Sequence, residues 1–324
     1  MPAVSVIIPV YNVEQYVGRC VRSLFSQTLD DIEFIFIDDC SPDNSVTVVK
    51  DVLENEFPAR KPQARFFRMP VNSGQAAVRM KGLGLATGDY VIHCDADDEL
   101  LSPDAYGRMY GKAVAGNLDI VSCNYLVEDA SGQERLVREE CTDVRQLLLD
   151  EVQGSLCCRL VRLSLLKDIL PPAGNMGEDL VISVQATLRA KASGHVDEAF
   201  YLYRYRANSI SKERGKDSAV KRHKALVPNI KLLADLLVDT YRYRGDSPEM
   251  VCFKYYARHC IEPYVGDREC YRLWKDTFPE IDGSVLSNPF IPLWKKCRFV
   301  LIRLHLYGPV RWCSQRLGKL LKRK

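Results

Sequence analysis

The chain has 324 residues, 47% of them hydrophobic, so it is long enough to bury one large core with a smaller appendage. Its formal net charge of +3 is close to balance and does not indicate a nucleic-acid partner. The 12 cysteines are scattered without C-x-x-C or C-x-x-H spacing, which indicates reduced thiols in a cytoplasmic protein. No signal-peptide pattern and no apolar run of about 18 residues is present, so we expect neither a secretory signal nor a spanning helix.

The N-terminal third predicts alternating strands and helices. β-branched residues run through 4–10, a second apolar run covers 34–37, and apolar residues recur at helical spacing between 14 and 27. Further strands are predicted at 65–69, 91–94 and 118–125, with a helix ending near 86 and a hairpin turn at Gly132. This order is typical of an α/β protein with a mostly parallel sheet flanked by helices.

The strand at 91–94 ends abruptly in four acids within residues 95–99. Asp95 and Asp97 are two apart, so on an extended chain both would point to one side and converge on one ion. Mg²⁺ and Mn²⁺ favour such oxygen ligands, and Mg²⁺ commonly takes one or two carboxylates and completes its shell with water and phosphates. The structural alternative is a solvated acidic loop before the helix start at Ser102.

Polar residues follow three of the predicted strands. In open α/β sheets functional groups gather at the carboxyl ends of strands, so residues 9–12, Asp38, Asp39 and residues 95–97 should line one crevice. A helix-capping role is the structural alternative for the two adjacent aspartates. No G-x-G-x-x-G follows the first strand, which argues against a dinucleotide-binding dehydrogenase.

Four sequence blocks, taken in order and spacing, resemble the family 2 glycosyltransferases with the GT-A fold. They cover about the first 105 residues and comprise residues 4–12, residues 37–45, residues 72–79 and residues 95–98. The resemblance implies an inverting transferase that uses a nucleotide-diphosphate sugar, most often with UDP, and a divalent metal, Mg²⁺ or Mn²⁺. It implies a Rossmann-like GT-A domain, which we place at residues 1–211. From Lys212 onward the resemblance fades, and the residue pattern predicts a helical C-terminal region at 212–324.

The resemblance also assigns residues to the nucleotide. Pro9 and Tyr11 would line the base pocket, with the Tyr11 ring against the nucleoside, and Asp39 would accept hydrogen bonds from the base. Arg79 would reach the base or the phosphates. The structural alternatives are a packed aromatic at a strand end for Tyr11 and a solvated helix cation for Arg79.

Five acids receive metal or catalytic roles from the same resemblance. Asp95 would hold the ribose or the metal, Asp97 the metal, and Asp98 would assist them. Asp179 would act as the catalytic base, with Glu178 in support, at the start of an apolar helix. Acids at a helix N-terminus also have a structural explanation, because they favour the helix dipole.

Two further segments resemble the family less fully. Residues 199–211 resemble a Tyr-x-Tyr-Arg segment that ends the GT-A domain, where Arg204 or Arg206 would lie near the diphosphate. An ordinary half-buried strand explains the same alternation of tyrosine and arginine. Cys157 and Cys158 stand where relatives often have Trp and Asn, so acceptor contacts at those two positions are not implied.

The C-terminal region is predicted to be helical and strongly basic at its end. After Asp282 the sequence has no acid, whereas ten lysines and arginines follow, together with leucines and aromatic residues in a tail at about 290–324. Such a segment suits a helix lying on an anionic membrane surface. The alternative is a helix that packs its apolar side on the catalytic domain and leaves its cations solvated.

The sequence therefore predicts an inverting glycosyltransferase of cell-surface polysaccharide synthesis. It would move a hexosyl or N-acetylhexosaminyl group from a nucleotide-diphosphate sugar, with UDP, to a hydroxyl of a glycan or polyprenyl-linked saccharide. We expect it in the cytoplasm, peripheral on the inner face of the membrane, with no nucleic-acid partner. The alternative from another class is a catalytically silent nucleotide-sugar-binding or scaffold protein of the same fold.

Overall fold

A computed structural model describes residues 2–206 and 215–307. The chain divides into two compact units, Met1–Ser209 and Ile210–Lys324, which we call the N-terminal and the C-terminal unit. The predicted domain boundary at residue 211 and residues 308–324 of the predicted basic tail lie outside the described residues.

The N-terminal unit is built on one nine-stranded sheet. Its order is β3-β2-β1-β4-β8-β6-β9-β5, and β7 pairs with β6 in the hairpin predicted around Gly132. The first four strands of that order are parallel, whereas the remainder is mixed, with β6 and β9 parallel and the other pairs antiparallel. The strands are β1 (Val4–Val10), β2 (Ile32–Asp38), β3 (Ala64–Arg68), β4 (Tyr90–His93), β5 (Glu99–Leu100), β6 (Ile120–Glu128), β7 (Glu134–Val137), β8 (Arg159–Arg162) and β9 (Ser193–Tyr203).

Helices cover both faces of this sheet. Alternate residues of β1 point to opposite faces, so Val6 and Ile8 enter the core beneath α1, α2 and α4, whereas Ile7 enters the core beneath α3 and α6. This burial on both faces explains the continuous apolar run at 4–10. The helices are α1 (Val17–Phe25), α2 (Ser45–Glu56), α3 (Gln75–Leu85), α4 (Ala105–Ala115), α5 (Val144–Leu148) and α6 (Glu178–Arg189).

Pro9 lies inside a central strand, where its missing N–H would ordinarily cost a ladder hydrogen bond. The pairing of β1 with β4 ends at Ile7 and His93, whereas β2 continues to pair through Val10. Residue 9 faces the β4 side, because the Ile7 carbonyl accepts there from the Cys94 amide, 3.0 Å away. The proline therefore stands just past the end of β4, where the sheet opens and no donor is needed.

The C-terminal unit is helical, as predicted. Its helices are α7 (Lys216–Asp239), α8 (Pro248–Tyr256), α9 (Arg268–Asp276) and α10 (Leu293–Arg303). They enclose a core around the fully buried Trp274. Over residues 2–206 and 215–307, we find no helix that combines the length and the apolarity needed to cross a membrane.

Candidate active site

The loops after three neighbouring parallel strands emerge at one edge of the sheet, which we call the crevice. β2, β1 and β4 lie side by side, so Tyr11, Asp39 and Asp95 leave the sheet together, as the strand pattern predicted. Asn12 and Cys40 turn the chain there, with φ angles of 53° and 58°. Non-glycine residues seldom adopt this left-handed conformation.

The residues assigned to the nucleoside lie on the β1 and β2 side of the crevice. Tyr11 exposes 44% of its surface, so its ring is open to a ligand. Asp39 is buried, and its two carboxylate oxygens accept hydrogen bonds from the backbone amides of Ser73 at 2.7 Å and Gly74 at 2.8 Å. Asp39 thus fixes the loop before α3, a structural role that its sequence position did not reveal.

Asn175 ties that same loop to the segment preceding α6. Its Oδ1 accepts from the Ala76 amide at 3.1 Å, and a Cβ at Gly74 would lie 2.2 Å from the Asn175 Nδ2. Gly74 also has a φ of 82°, so glycine is required there both for space and for conformation. Sequence reasoning did not single out Asn175; the only signal was its place just before the Gly-Glu-Asp motif.

Arg79 of α3 is buried beneath the crevice, with 1% of its surface exposed. Its Nη2 lies 2.9 Å from Asp95 Oδ1, and its Nε lies 3.3 Å from Asp179 Oδ1 and 3.8 Å from Glu178 Oε1. The solvated helix cation considered as an alternative is therefore wrong. One guanidinium joins an acid that follows β4 to the two acids that open α6.

Asp97 contacts Arg206, not Arg204. The Nη1 of Arg206 lies 3.1 Å from Asp97 Oδ2, and its Nη2 donates to the Asn12 carbonyl at 2.8 Å. Arg204 instead pairs with Glu99 and Glu128, away from this carboxylate. The two arginines that sequence reasoning treated alike thus have different surroundings.

Asp98 is buried, and protein donors occupy both of its oxygens. Oδ2 accepts from the Tyr201 hydroxyl at 2.7 Å and Oδ1 from the Arg204 amide at 2.8 Å. Burial, with Asp97 and Asp95 close by, holds the pKa of Asp98 well above its usual range. The structure therefore gives Asp98 a structural role in this loop, and the expectation that it assists the metal ligands stays a prediction.

Tyr201 organises this acidic loop and was not identified from the sequence. β5 pairs with β9 through Glu99 and Leu202, which brings the Tyr201 ring beneath the loop that joins β4 to β5. Its hydroxyl accepts from the Asp95 amide at 3.2 Å while it donates to Asp98. A signal was present in the alternating tyrosines at 201–205, but the pairing with a two-residue strand was not foreseeable.

Asp95 and Asp97 are the acids of this loop that fit a divalent cation. Their side chains keep 24% and 29% of their surface exposed, and they offer the hard oxygen ligands that Mg²⁺ and Mn²⁺ prefer. Burial first, and then the neighbouring Asp95, raises the pKa of Asp97. A cation would relieve that repulsion. Within the described ranges, no three histidine, cysteine or acidic side chains are clustered as a ready metal site.

Asp179 lies at the first turn of α6, after Gly177 in a left-handed conformation. Its Oδ1 is buried against Arg79, yet the side chain as a whole keeps a third of its surface exposed, so Oδ2 is the oxygen that a substrate can reach. Desolvation raises the pKa of Asp179 to about 7, against the opposing effect of Arg79. Glu178 is more buried, and burial also raises its pKa.

Comparison with known proteins agrees with this architecture. Residues 5–169 match the family model described as glycosyl transferase family 2. EpsH of Bacillus subtilis, named a putative glycosyltransferase, is 29% identical over 225 residues, which is 64% of this chain and 62% of EpsH. The poly(ribitol-phosphate) beta-glucosyltransferase of Bacillus spizizenii is 29% identical over 195 residues, 58% of this chain and 30% of that protein. The chain thus spans less than two thirds of the length of these relatives.

Among solved structures, residues 1–349 of S. aureus TarS in complex with UDP-GlcNAc superpose with a TM-score of 0.59. The sequence identity is 19%, and the match covers 98% of this chain and 92% of the TarS chain. The α/β architecture is therefore that of the GT-A glycosyltransferases. The chain belongs to glycosyl transferase family 2, as its four sequence blocks indicated.

Proposed function

We propose that this protein is an inverting glycosyltransferase that moves a sugar from a UDP-sugar to a hydroxyl group of a glycan or lipid-linked saccharide. The observation that carries the proposal is the double contact of Arg79 with Asp95 and Asp179. Through it, one buried guanidinium joins the acid expected at the sugar donor to the acid expected at the acceptor. Family membership and the UDP-GlcNAc bound by the structurally similar TarS support the choice of donor.

The sugar donor would bind with its nucleoside on the β1 and β2 side of the crevice. The exposed ring of Tyr11, next to Pro9, would stack on the base, since a flat aromatic face matches a flat base. Asp39 would accept from the base N–H with its remaining lone pairs, because each of its oxygens already receives one amide.

The diphosphate would lie beside the acidic loop. Asp95 and Asp97 would hold the divalent cation, and this cation would offset the charge growing on the departing diphosphate. Arg206, in contact with Asp97, would bind phosphate oxygens. Asp98, through Tyr201, would keep the loop in its conformation.

Asp179 would be the base that makes the acceptor reactive. Its accessible Oδ2 would take the proton from the acceptor hydroxyl as that oxygen attacks the anomeric carbon from the face opposite the diphosphate. One displacement forms the new glycosidic bond, breaks the bond to the diphosphate and inverts the anomeric centre. A pKa of about 7 suits this task, because about half of such groups are ionised near neutral pH and the ionised form accepts a proton readily. Arg79, with 1% of its surface exposed, would orient the Asp179 carboxylate from below, in place of the contact with the nucleobase or the phosphates that the resemblance implied.

The relatives and the C-terminal charge support our choice of acceptor and location. The poly(ribitol-phosphate) beta-glucosyltransferase acts on a polymer, which supports a cell-surface glycan as acceptor class. We place catalysis in residues 1–211 and give residues 212–324 the task of peripheral contact with the inner face of the cytoplasmic membrane, where lipid-linked saccharides are found. The basic run after Asp282 supports this contact.

Calorimetric titration with UDP and with GDP, each with and without Mn²⁺, tests the nucleotide site. We expect UDP to bind more tightly with Mn²⁺, and Asp97→Ala to weaken that binding about tenfold or more, because the cation loses one of its two carboxylates. Without the metal, the variant and the parent should differ little. Asp51→Ala, which removes an exposed aspartate of α2, is the matched control and should bind like the parent.

Two results would contradict the proposal. Undiminished Mn²⁺-dependent UDP binding by Asp97→Ala would remove Asp97 from the metal site. A folded parent protein that binds neither nucleotide would overturn the assignment of the crevice to a nucleotide sugar. Nucleotide binding without any transfer would instead favour a catalytically silent protein of this fold.

A further inference from the structure

Helix α10 exposes apolar side chains along one face. Leu293, Cys297, Val300 and Leu304 follow one another at intervals of four, three and four residues, which places them in a row on a helix. All four are exposed, Leu293 by 76% and Leu304 by 60% of its surface. We call this row the α10 stripe.

The opposite face of α10 anchors the helix in its own unit. Phe299 and Ile302 are buried there, and the Phe299 ring lies 5.5 Å from that of Trp274 at the centre of the core. The helix is therefore already held by one apolar face, and the α10 stripe is not used by that core. A second apolar face on a surface helix is typical of an interaction site.

Trp294 borders the α10 stripe and is surrounded by cations. It is 55% exposed, with the Nζ of Lys295 5.5 Å from its ring centre and the Arg298 guanidinium carbon 4.8 Å away. Tryptophan beside lysine and arginine at the rim of an apolar surface is the arrangement found where a helix meets the headgroup region of a bilayer.

The charge around the α10 stripe is unbalanced. Arg298 is neutralised by Glu262 at 3.0 Å and Arg303 by Asp282 at 3.0 Å. In contrast, Lys296, which flanks the α10 stripe between Leu293 and Val300, forms no ion pair with any acid in the described part of the chain. Between Asp282 and Lys324 the sequence contains no acid, and residues 308–324 hold six more lysines and arginines.

We propose that α10 docks on an anionic lipid bilayer, with the α10 stripe buried at the level of the upper acyl chains. Trp294 lies at the headgroup boundary, and Lys296, three residues after Leu293 and four before Val300, binds lipid phosphates. An anionic bilayer matches both the exposed apolar stripe and the unbalanced positive charge, because its apolar layer lies beneath a negatively charged headgroup layer. This assignment rests on the membrane contact in the proposed function and specifies its surface, but it requires no sugar transfer, so it fails or holds separately from catalysis.

Co-sedimentation of the full chain with vesicles tests this docking. The protein should sediment with phosphatidylglycerol vesicles and far less with phosphatidylcholine vesicles. The double variant Leu293→Ser, Leu304→Ser should bind phosphatidylglycerol vesicles about tenfold or more weakly, because two large apolar side chains no longer enter the lipid. The matched control Leu136→Ser, Leu170→Ser removes two exposed leucines from the N-terminal unit and should bind like the parent.

Tryptophan emission provides a second measurement on the same surface. In a Trp312→Phe background the remaining tryptophans are the fully buried Trp274 and the exposed Trp294. Phosphatidylglycerol vesicles should shift the emission to the blue, and brominated lipid should quench it, only if Trp294 enters the bilayer. Absence of vesicle binding, equal binding to both lipids, or binding that leaves the emission and the double variant unaffected would each overturn the assignment of α10 as the docking surface.

Discussion

Exchanging Asp179 for asparagine is expected to lower the rate constant of sugar transfer by a factor of about 10² to 10⁴, the usual contribution of a positioned general base. Asparagine keeps the shape of the side chain and its distance from Arg79 but has no site that takes a proton from an acceptor hydroxyl. UDP affinity should stay close to that of the parent, because the proposal assigns Asp179 to the acceptor hydroxyl and not to the nucleotide. Transfer is measured by release of UDP with a saturating acceptor, and nucleotide affinity by calorimetry.

The neighbouring Glu178 provides the matched comparison. Glu178→Gln makes the same change of charge one residue earlier, but at a side chain that is buried, so it should slow transfer much less. We expect that slower sugar transfer by Asp179→Asn would not result from loss of the fold. The folded state raises the pKa of Asp179 to about 7, so ionisation of this acid disfavours folding as pH rises through that value. The asparagine variant should thus melt no earlier than the parent above about pH 7. Equal losses of activity in the two variants would remove the base role from Asp179.

The pH dependence of the transfer rate should report the ionisation of Asp179. The base must be ionised to accept a proton, so kcat/KM for the acceptor is expected to rise with pH, with an apparent pKa of about 7, and then to level off. An exposed aspartate near its ordinary pKa would instead give constant activity across the neutral range. A profile without this limb between about pH 6 and about pH 8 would contradict the assignment.

The sequence supported the fold well because its strongest signals are local. The continuous apolar run of β1 and the helical spacing of α1 each state a burial pattern over a few consecutive residues. The parallel pairing then follows, since a helix between two buried strands returns the chain to the same edge. By contrast, β5 has only two residues, too few for any periodicity, and it is recognisable only by its pairing with β9.

The partners of the polar side chains could not be predicted in the same way. Asp95, Asp97 and Asp98 are adjacent in sequence and look equivalent, yet only the first two keep exposed oxygens. What separates Asp98 from them is the Tyr201 hydroxyl, 103 residues away, a contact that depends on the placement of a whole strand. Arg79 is a second example. The packing of α6 against α3 decides whether its guanidinium contacts a nucleotide or the carboxylates of Glu178 and Asp179.

Replacing Arg79 by methionine is expected to lower the free energy of unfolding by about 3–5 kcal/mol at about pH 8. The guanidinium is buried and lies within reach of three carboxylates, those of Asp95, Glu178 and Asp179. Without it these acids face one another in a poorly solvated site with no cation to offset their repulsion. Arg108→Met, which breaks a surface pair with Glu198, is the matched control and should leave the unfolding midpoint nearly unchanged.

The loss in Arg79→Met should also depend on pH, and its sign is fixed by linkage. Arg79 lowers the pKa of Asp179 and of Glu178, so its removal raises both values further above those of the unfolded chain. An acid whose pKa is raised by folding takes up a proton in the folded state at lower pH and is destabilising only when ionised. The deficit should therefore be largest at about pH 8 and shrink towards about pH 5.

Urea unfolding, followed by circular dichroism and by tryptophan fluorescence, measures the loss of stability in the N-terminal unit, which contains Arg79. All three tryptophans, Trp274, Trp294 and Trp312, belong to the C-terminal unit, so their fluorescence does not report directly on the helix that carries Arg79. Circular dichroism reports on the helices of both units. The unfolding transition of Arg79→Met should therefore appear in this signal at urea concentrations where the parent is still folded. Arg79→Lys keeps the positive charge but replaces the guanidinium, which contacts several carboxylates at once, with a single ammonium group. Compared with Arg79→Met, it should therefore recover much of the stability but little of the transfer rate. Equal stability of Arg79→Met and the parent at both pH values would mean that the three acids do not depend on this arginine, and the link between the two halves of the site would have to be sought elsewhere.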